Sequence, residues 1–237
     1  MDKHALVILH GWQSKTARWK PLVTELSKNF KVFLPVLPGF GVDKFTSKNG
    51  WSLNDYCNWL NMFLKKNKIT KPVLVGHSFG GRIAIKYASS NSQLYKLVLI
   101  ASAGLKNKSI KKVVGFYLAK MGNLLFSLPL LTKLKKSLQW FLYKALREHD
   151  YYQADEFQKK TMAKIVEEDL EKNLENINLP TLIIWGTLDK LTPFWQAKIL
   201  SKKIKNSILK FYGGVGHDVP FSKYKQVAKQ ITDFVKK

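Results

Sequence analysis

A hydroxyl, a carboxylate and an imidazole, each lying just past a short apolar run, are the residues of this chain whose types and spacing could do chemistry together. Ser78 stands in Gly76-His77-Ser78-Phe79-Gly80, between the apolar run Pro72-Val73-Leu74-Val75 and a helix-like stretch over 81–90. A serine hydroxyl is a weak nucleophile. To attack a carbonyl it must stand clear of the sheet, next to a base and in front of backbone N–H groups, and a strand–turn–helix with G-x-S-x-G provides that stage. Asp189 follows Thr181-Leu182-Ile183-Ile184-Trp185-Gly186, and His217 follows Phe211-Tyr212-Gly213-Gly214-Val215-Gly216. An imidazole exchanges its proton near neutral pH, so His217 can act as base and then acid towards Ser78, with Asp189 holding its tautomer.

The competing readings are local. Asp189 could instead cap the turn at Thr192-Pro193, a common use of aspartate. His4, His10, His77 and His149 are weaker bases: two precede the nucleophile turn, one lies within it, and His149 falls in a long helical stretch. An acyl transfer also generates an oxyanion that needs two donors. The amide of Phe79 is one, and the loop His10-Gly11-Trp12 after the first strand offers the other at Trp12. His10 itself reads as a structural residue of that loop, and Cys57 as a small apolar filler beside Trp59.

Short apolar runs alternate with amphipathic helical stretches, which argues for an α/β fold with a mainly parallel sheet of about six strands and helices on both faces. The strands are expected at 5–9, 32–37, 72–75, 96–101, 181–185 and 207–212, and the helices at 19–28, 53–66, 81–90, 194–203 and 222–235. Ser52 reads as the cap of the second helix, with Asp55 in its first turn. Residues 105–178 break the alternation. They are helical, lysine-rich and aromatic, with Phe116, Tyr117, Leu124, Phe126, Trp140 and Phe141 among them, and read as a lid over the strand ends. The division expected is a core of 1–104 with 179–237 and a helical cap of 105–178.

At 237 residues the chain is long enough for one domain with an insertion. Its longest apolar run, 97–105, is about half of the roughly 18 residues a membrane span needs. The start, with its short apolar core, does not read as a signal peptide. One cysteine, Cys57, excludes a disulfide framework and makes a reducing cytoplasm the simplest home. The net charge of +24 comes almost wholly from lysine; only Arg18, Arg82 and Arg147 are arginines. With no zinc spacing, helix-turn-helix or aromatic RNA-binding signature, nucleic acid is not the expected partner. The charge is uneven, however: no acidic residue occurs between Asp55 and Glu148. That asymmetry leaves room for anionic substrates or weak membrane-surface binding.

The motifs H-G-W at 10–12, P-G-F-G at 38–41, G-H-S-F-G-G at 76–81, W-G-T-L-D at 185–189 and G-H-D at 216–218 together resemble the α/β-hydrolase superfamily, over essentially the whole chain. The resemblance implies Ser78 as nucleophile, Asp189 as acid, His217 as base, and the Trp12 and Phe79 amides as oxyanion hole. It also implies that 105–178 is the cap. No metal and no organic cofactor is implied. The hairpin that often precedes the H-G strand in this superfamily is missing, so the sheet is expected to be cut at one edge, with a monomer or homodimer to follow. Serine at 78 disfavours the dehalogenases and epoxide hydrolases of the fold, which use aspartate there. The function implied is a carboxylesterase-like serine hydrolase for a small or medium apolar acyl ester. The alternatives are a carbon–carbon bond hydrolase of the meta-cleavage-product type and a non-catalytic ligand receptor or signalling partner.

Overall fold

The computed structural model describes residues 3–41, 49–90, 93–106 and 155–237. Six strands form one sheet: β1 (Ala5–Leu9), β2 (Lys31–Phe33), β3 (Val73–His77), β4 (Lys96–Ile100), β5 (Thr181–Gly186) and β6 (Ser207–Tyr212). Their spatial order is β2-β1-β3-β4-β5-β6, and every pairing is parallel. Of the four inner strands, β3, β4 and β5 are buried at every residue, in keeping with their largely apolar sequences. β6 is an edge strand and alternates, with Ile208 and Phe211 exposed.

The helices are α1 (Lys20–Ser27), α2 (Leu53–Lys66), α3 (Phe79–Ser90), α4 (Glu156–Glu167), α5 (Trp195–Lys203), α6 (Val219–Ser222) and α7 (Tyr224–Lys236). Trp19, Trp185 and Tyr56 are the largest side chains fully enclosed between them and the sheet. Burying each large apolar side chain contributes roughly 1.5–3 kcal/mol, so these three anchor the layers. Ser52 caps α2 in a reciprocal box: its hydroxyl accepts from the Asp55 amide, and its own amide donates to the Asp55 carboxylate at 2.7 Å. Tyr56, one turn on, donates its hydroxyl to the carbonyl of Pro38 at 3.0 Å and fixes the loop after β2.

Several boundaries differ from the sequence-based expectation. β2 pairs only over Lys31–Phe33, because Ala5, Leu6 and Val7 are its partners on β1 and the chain then departs towards Pro38. The helix expected at 19–28 opens as a 3-10 turn, Thr16–Trp19, with the α-helix starting at Lys20 and Pro21 in its first turn. The last helix is split at Lys223 into α6 and α7. α3 begins two residues earlier than expected, directly after Ser78, and so also includes Phe79 and Gly80.

Within the expected cap, the aromatic residues from Phe116 to Phe141 lie outside the described residues. The described part holds α4, capped by Asp155, whose carboxylate accepts from the Gln158 amide at 2.8 Å, and a 3-10 turn, Glu171–Asn176. Leu170, Leu174 and Ile177 are fully buried in the main core. Arg82 of α3 is buried and donates its guanidinium to the carbonyls of Ile165 and Glu168 at the end of α4, the second at 2.8 Å. Lys86, one turn further along α3, pairs with the Glu168 carboxylate at 2.6 Å. Among the described residues no helix is long and apolar enough to cross a membrane.

Candidate active site

All the chemistry-bearing residues lie past the carboxyl ends of the parallel strands, where open α/β sheets form their crevice. Ser78 follows β3 directly and has φ +53, the left-handed region that side chains rarely enter. Such a conformation costs on the order of 1–2 kcal/mol and persists only where the surroundings impose it. Here they do. The Ser78 amide donates to Ile100 at 3.2 Å, and its carbonyl accepts from Ala103 at 2.9 Å and Arg82 at 3.2 Å. The helix behind the turn lies almost on β1: a Cβ at Gly80 would stand 2.0 Å from the Leu9 carbonyl oxygen, so only glycine fits.

Asp189 is buried and uses its two oxygens differently. Oδ1 accepts from the Leu191 and Thr192 amides, both at 2.9 Å. Oδ2 accepts from the Thr192 hydroxyl at 2.7 Å and from His217 Nδ1 at 2.8 Å. Capping the following turn and holding the imidazole, weighed as rivals in the sequence, therefore occur together. Burial by itself would raise the Asp189 carboxyl, but the hydrogen bond and charge of His217, with the Thr192 donors, hold it below the usual 3.8. With Nδ1 donating to a carboxylate, the neutral His217 ring carries a bare Nε2. β5 and the histidine loop meet closely, since a Cβ on Gly186 would fall 2.3 Å from the Val215 carbonyl oxygen.

Ser78 and His217 line one cleft of about 660 Å³, together with Trp12, His77, Arg18, Leu191 and Phe221. The structure thus brings the serine, the imidazole and, behind it, the carboxylate to one place. Phe79 is the first residue of α3, so its N–H has no partner within the helix. The Trp12 ring stands edge-on to Phe40 and Phe79, at 4.7 and 5.3 Å between centroids. His10 is buried and structural: Nδ1 donates to the Gly11 carbonyl at 2.8 Å and Nε2 accepts from the Leu37 amide at 3.0 Å, joining the loops after β1 and β2. Cys57 is half-buried on α2, and burial pushes its thiol up to about 12, which keeps it from acting as a nucleophile.

Two residues make contacts at the site that the sequence did not reveal. Thr192 touches Asp189, His217 Nδ1 at 3.2 Å and the Ala101 carbonyl at 3.1 Å, so one hydroxyl ties the ends of β4 and β5 to the imidazole. A threonine three residues after an aspartate is too common for its spacing to reveal this. His77 is buried beside Ser78 and donates Nε2–H to the His217 carbonyl at 3.2 Å, while Nδ1 has no partner among the described residues. Burial first, then the nearby His217, lower its pKa from 6.5 to about 3, with the hydrogen bond to His217 opposing them.

The sign of that shift fixes a pH dependence. An unfolded His77 takes up a proton near 6.5 while the folded one stays neutral to about 3, so the group contributes nothing above 6.5 and destabilises the fold progressively as pH falls through that window. At pH 5 the loss from this group is about 2 kcal/mol, at 1.36 kcal/mol per unit. Buried His10, whose pKa is lowered by burial, acts in the same direction. Urea unfolding of the wild type and His77→Gln at pH 7.5 and 5 should show a smaller acid loss in the variant. An equal loss in both would contradict the assignment.

A family model of the alpha/beta hydrolase fold matches residues 4–224. The chain is 27% identical to the uncharacterized hydrolase YugF of Bacillus subtilis (strain 168), over 99% of this chain and 90% of that protein. It is also 27% identical to the human monoacylglycerol lipase ABHD6, over 98% of this chain and 75% of that one. Among solved structures, the esterase EaEST from Exiguobacterium antarcticum superposes with a TM-score of 0.75 at 21% identity, covering 100% of this chain and 93% of that one. The parallel sheet, the strained serine turn and the match over nearly the whole length agree, and the chain belongs to the α/β-hydrolase family.

Proposed function

We propose that this hydrolase is a serine carboxylesterase acting on small or medium apolar acyl esters through an acyl-enzyme. Ser78 Oγ bonds to the acyl carbon as its proton passes to His217 Nε2. Asp189 keeps Nδ1 protonated and stabilises the imidazolium. The Trp12 and Phe79 amides hold the oxyanion. Collapse of the intermediate expels the alkoxide, which takes the proton from His217, and water then releases the acid by the same route in reverse order.

The observation that carries this reading is the 2.8 Å bond from His217 to the buried Asp189 on the wall of the cleft that also contains Ser78. Trp12 and Leu191 give that cleft apolar surface for an acyl chain. The similarity to a monoacylglycerol lipase supports an ester substrate. In the same reading 105–178 is a cap on a core of 1–104 and 179–237. Its support is the bridge in which Gln13 donates to Gln158 of α4 at 3.2 Å and Gln158 donates to the Gly39 carbonyl at 2.7 Å, fastening α4 beside the loop after β1.

The purified protein, offered p-nitrophenyl butyrate, a butyryl thioester and a vinylogous diketone, should turn over the oxygen ester fastest. Cleavage of the diketone well ahead of both esters would assign the carbon–carbon reaction instead. Stabilisation by a ligand with no turnover of any of the three would assign the receptor role.

A further inference from the structure

The cleft also bears charge that the ester chemistry leaves unused. Lys15 and Arg18, from the turn after the H-G-W loop, line it with Ser78 and His217, and Asp218 is the one carboxylate among the lining residues. Arg18 is exposed but held in place. Its guanidinium lies 4.1 Å from the centre of the Phe221 ring, and that ring is held edge-on by Trp19 at 5.0 Å and His77 at 5.7 Å. Stacking on a fixed ring pre-orients a planar cation while leaving its N–H edges open to an anion. Neither Arg18 nor Lys15 forms an ion pair among the described residues. The Asp218 carboxylate folds back over its own turn, within 3.6 Å of the Cβ position of Gly216.

Resting on the esterase reading, we propose that the alcohol half of the substrate carries an anionic group, a carboxylate or a phosphate, which Arg18 binds with help from Lys15. The side follows from the chemistry. His217 gives its proton to the departing alkoxide, so the alcohol lies on the His217 side of the cleft, where the His77 ring stands 4.9 Å from His217 and 5.7 Å from Phe221, the ring beneath Arg18. The net reaction is acyl ester plus water to carboxylic acid plus anionic alcohol. Ser78 Oγ is acylated as the alkoxide leaves with the His217 proton, and water restores the hydroxyl.

Two matched pairs of esters test this: O-butyrylglycolate against ethyl butyrate, and 1-butyrylglycerol 3-phosphate against 1-butyrylglycerol. The quantity read is the ratio of kcat/KM within each pair. The wild type should favour the anionic member by about tenfold at low salt, a charge-assisted hydrogen bond being worth that much, and lose most of the preference at about 0.5 M salt. Arg18→Gln should remove the preference and Lys15→Ala reduce it; which pair responds more tells carboxylate from phosphate. A wild-type ratio at or below one, or an equal drop on both members in Arg18→Gln, would overturn the site and leave Arg18 as packing on Phe221. If no ester is turned over, the esterase reading fails separately and binding to Ser78→Ala protein decides. Thermal stabilisation by O-butyrylglycolate but not ethyl butyrate, lost with Arg18→Gln added, keeps the anion site, and no difference removes it.

Discussion

Replacing Ser78 with alanine is expected to lower kcat for ester hydrolysis by on the order of 10⁴- to 10⁶-fold, because the turn after β3 then carries no hydroxyl to form the acyl-enzyme. His217 and the Trp12 and Phe79 amides would remain, but with no oxygen for the imidazole to activate they give only the residual rate of binding and polarisation. The fold should be little affected. Alanine at φ +53 bears the same backbone strain as serine, and the three backbone hydrogen bonds that impose the turn do not involve the hydroxyl. Steady-state kinetics on p-nitrophenyl butyrate with a thermal melt of both proteins provides the check. Turnover within tenfold of the wild type in a folded variant would remove the proposed mechanism.

Asp189→Asn should cost on the order of 10⁴-fold in kcat, for a reason that involves no loss of volume. The asparagine carbonyl can still accept from the Leu191 and Thr192 amides, so the turn is preserved. Its NH₂ then occupies the Oδ2 position and points at His217 Nδ1, where the wild type has an acceptor at 2.8 Å. Two donors cannot face each other, so the ring moves its proton to Nε2 and presents Ser78 with a donor in place of a base. Raising the pH cannot restore a base at Nε2, which sets this variant apart from one that is merely destabilised. A pH–rate profile that recovers wild-type rates above neutrality would count against the tautomer argument.

How far the sequence announced all this depends on the range of each interaction. β3, β4 and β5 were legible because a strand buried on both faces is apolar along most of its length, although the expected first strand of the three began one residue early, at Pro72. β2 was overextended because its apolar run continues to Leu37 although pairing stops at Phe33; an edge strand loses its partner without any change of composition. Ser78, Asp189 and His217 could be proposed because each sits at a strand end with glycine beside it. Ser78 and His217 line one cleft, with Asp189 bonded to the imidazole from behind, in a strand order that runs β4 and β5 between the serine turn and the histidine loop. The contacts of Thr192, His77, Gln158 and Arg82 were not legible. Each depends on a partner made close only by the folded backbone, such as the 83 residues between Arg82 and Ile165.

The grip of Arg82 on the end of α4 has a consequence for engineering by recombination. Residues 155–168 look like a surface module that could be exchanged with a relative's to change substrate preference, but their last carbonyls satisfy a buried guanidinium on α3, the helix that follows Ser78. A transplanted segment that ended half a turn early would strand that cation without acceptors, a defect of several kcal/mol felt next to Ser78. Chimeras should therefore keep the donor's spacing from Ile165 to Glu168 in register with Arg82, or exchange both helices as one unit.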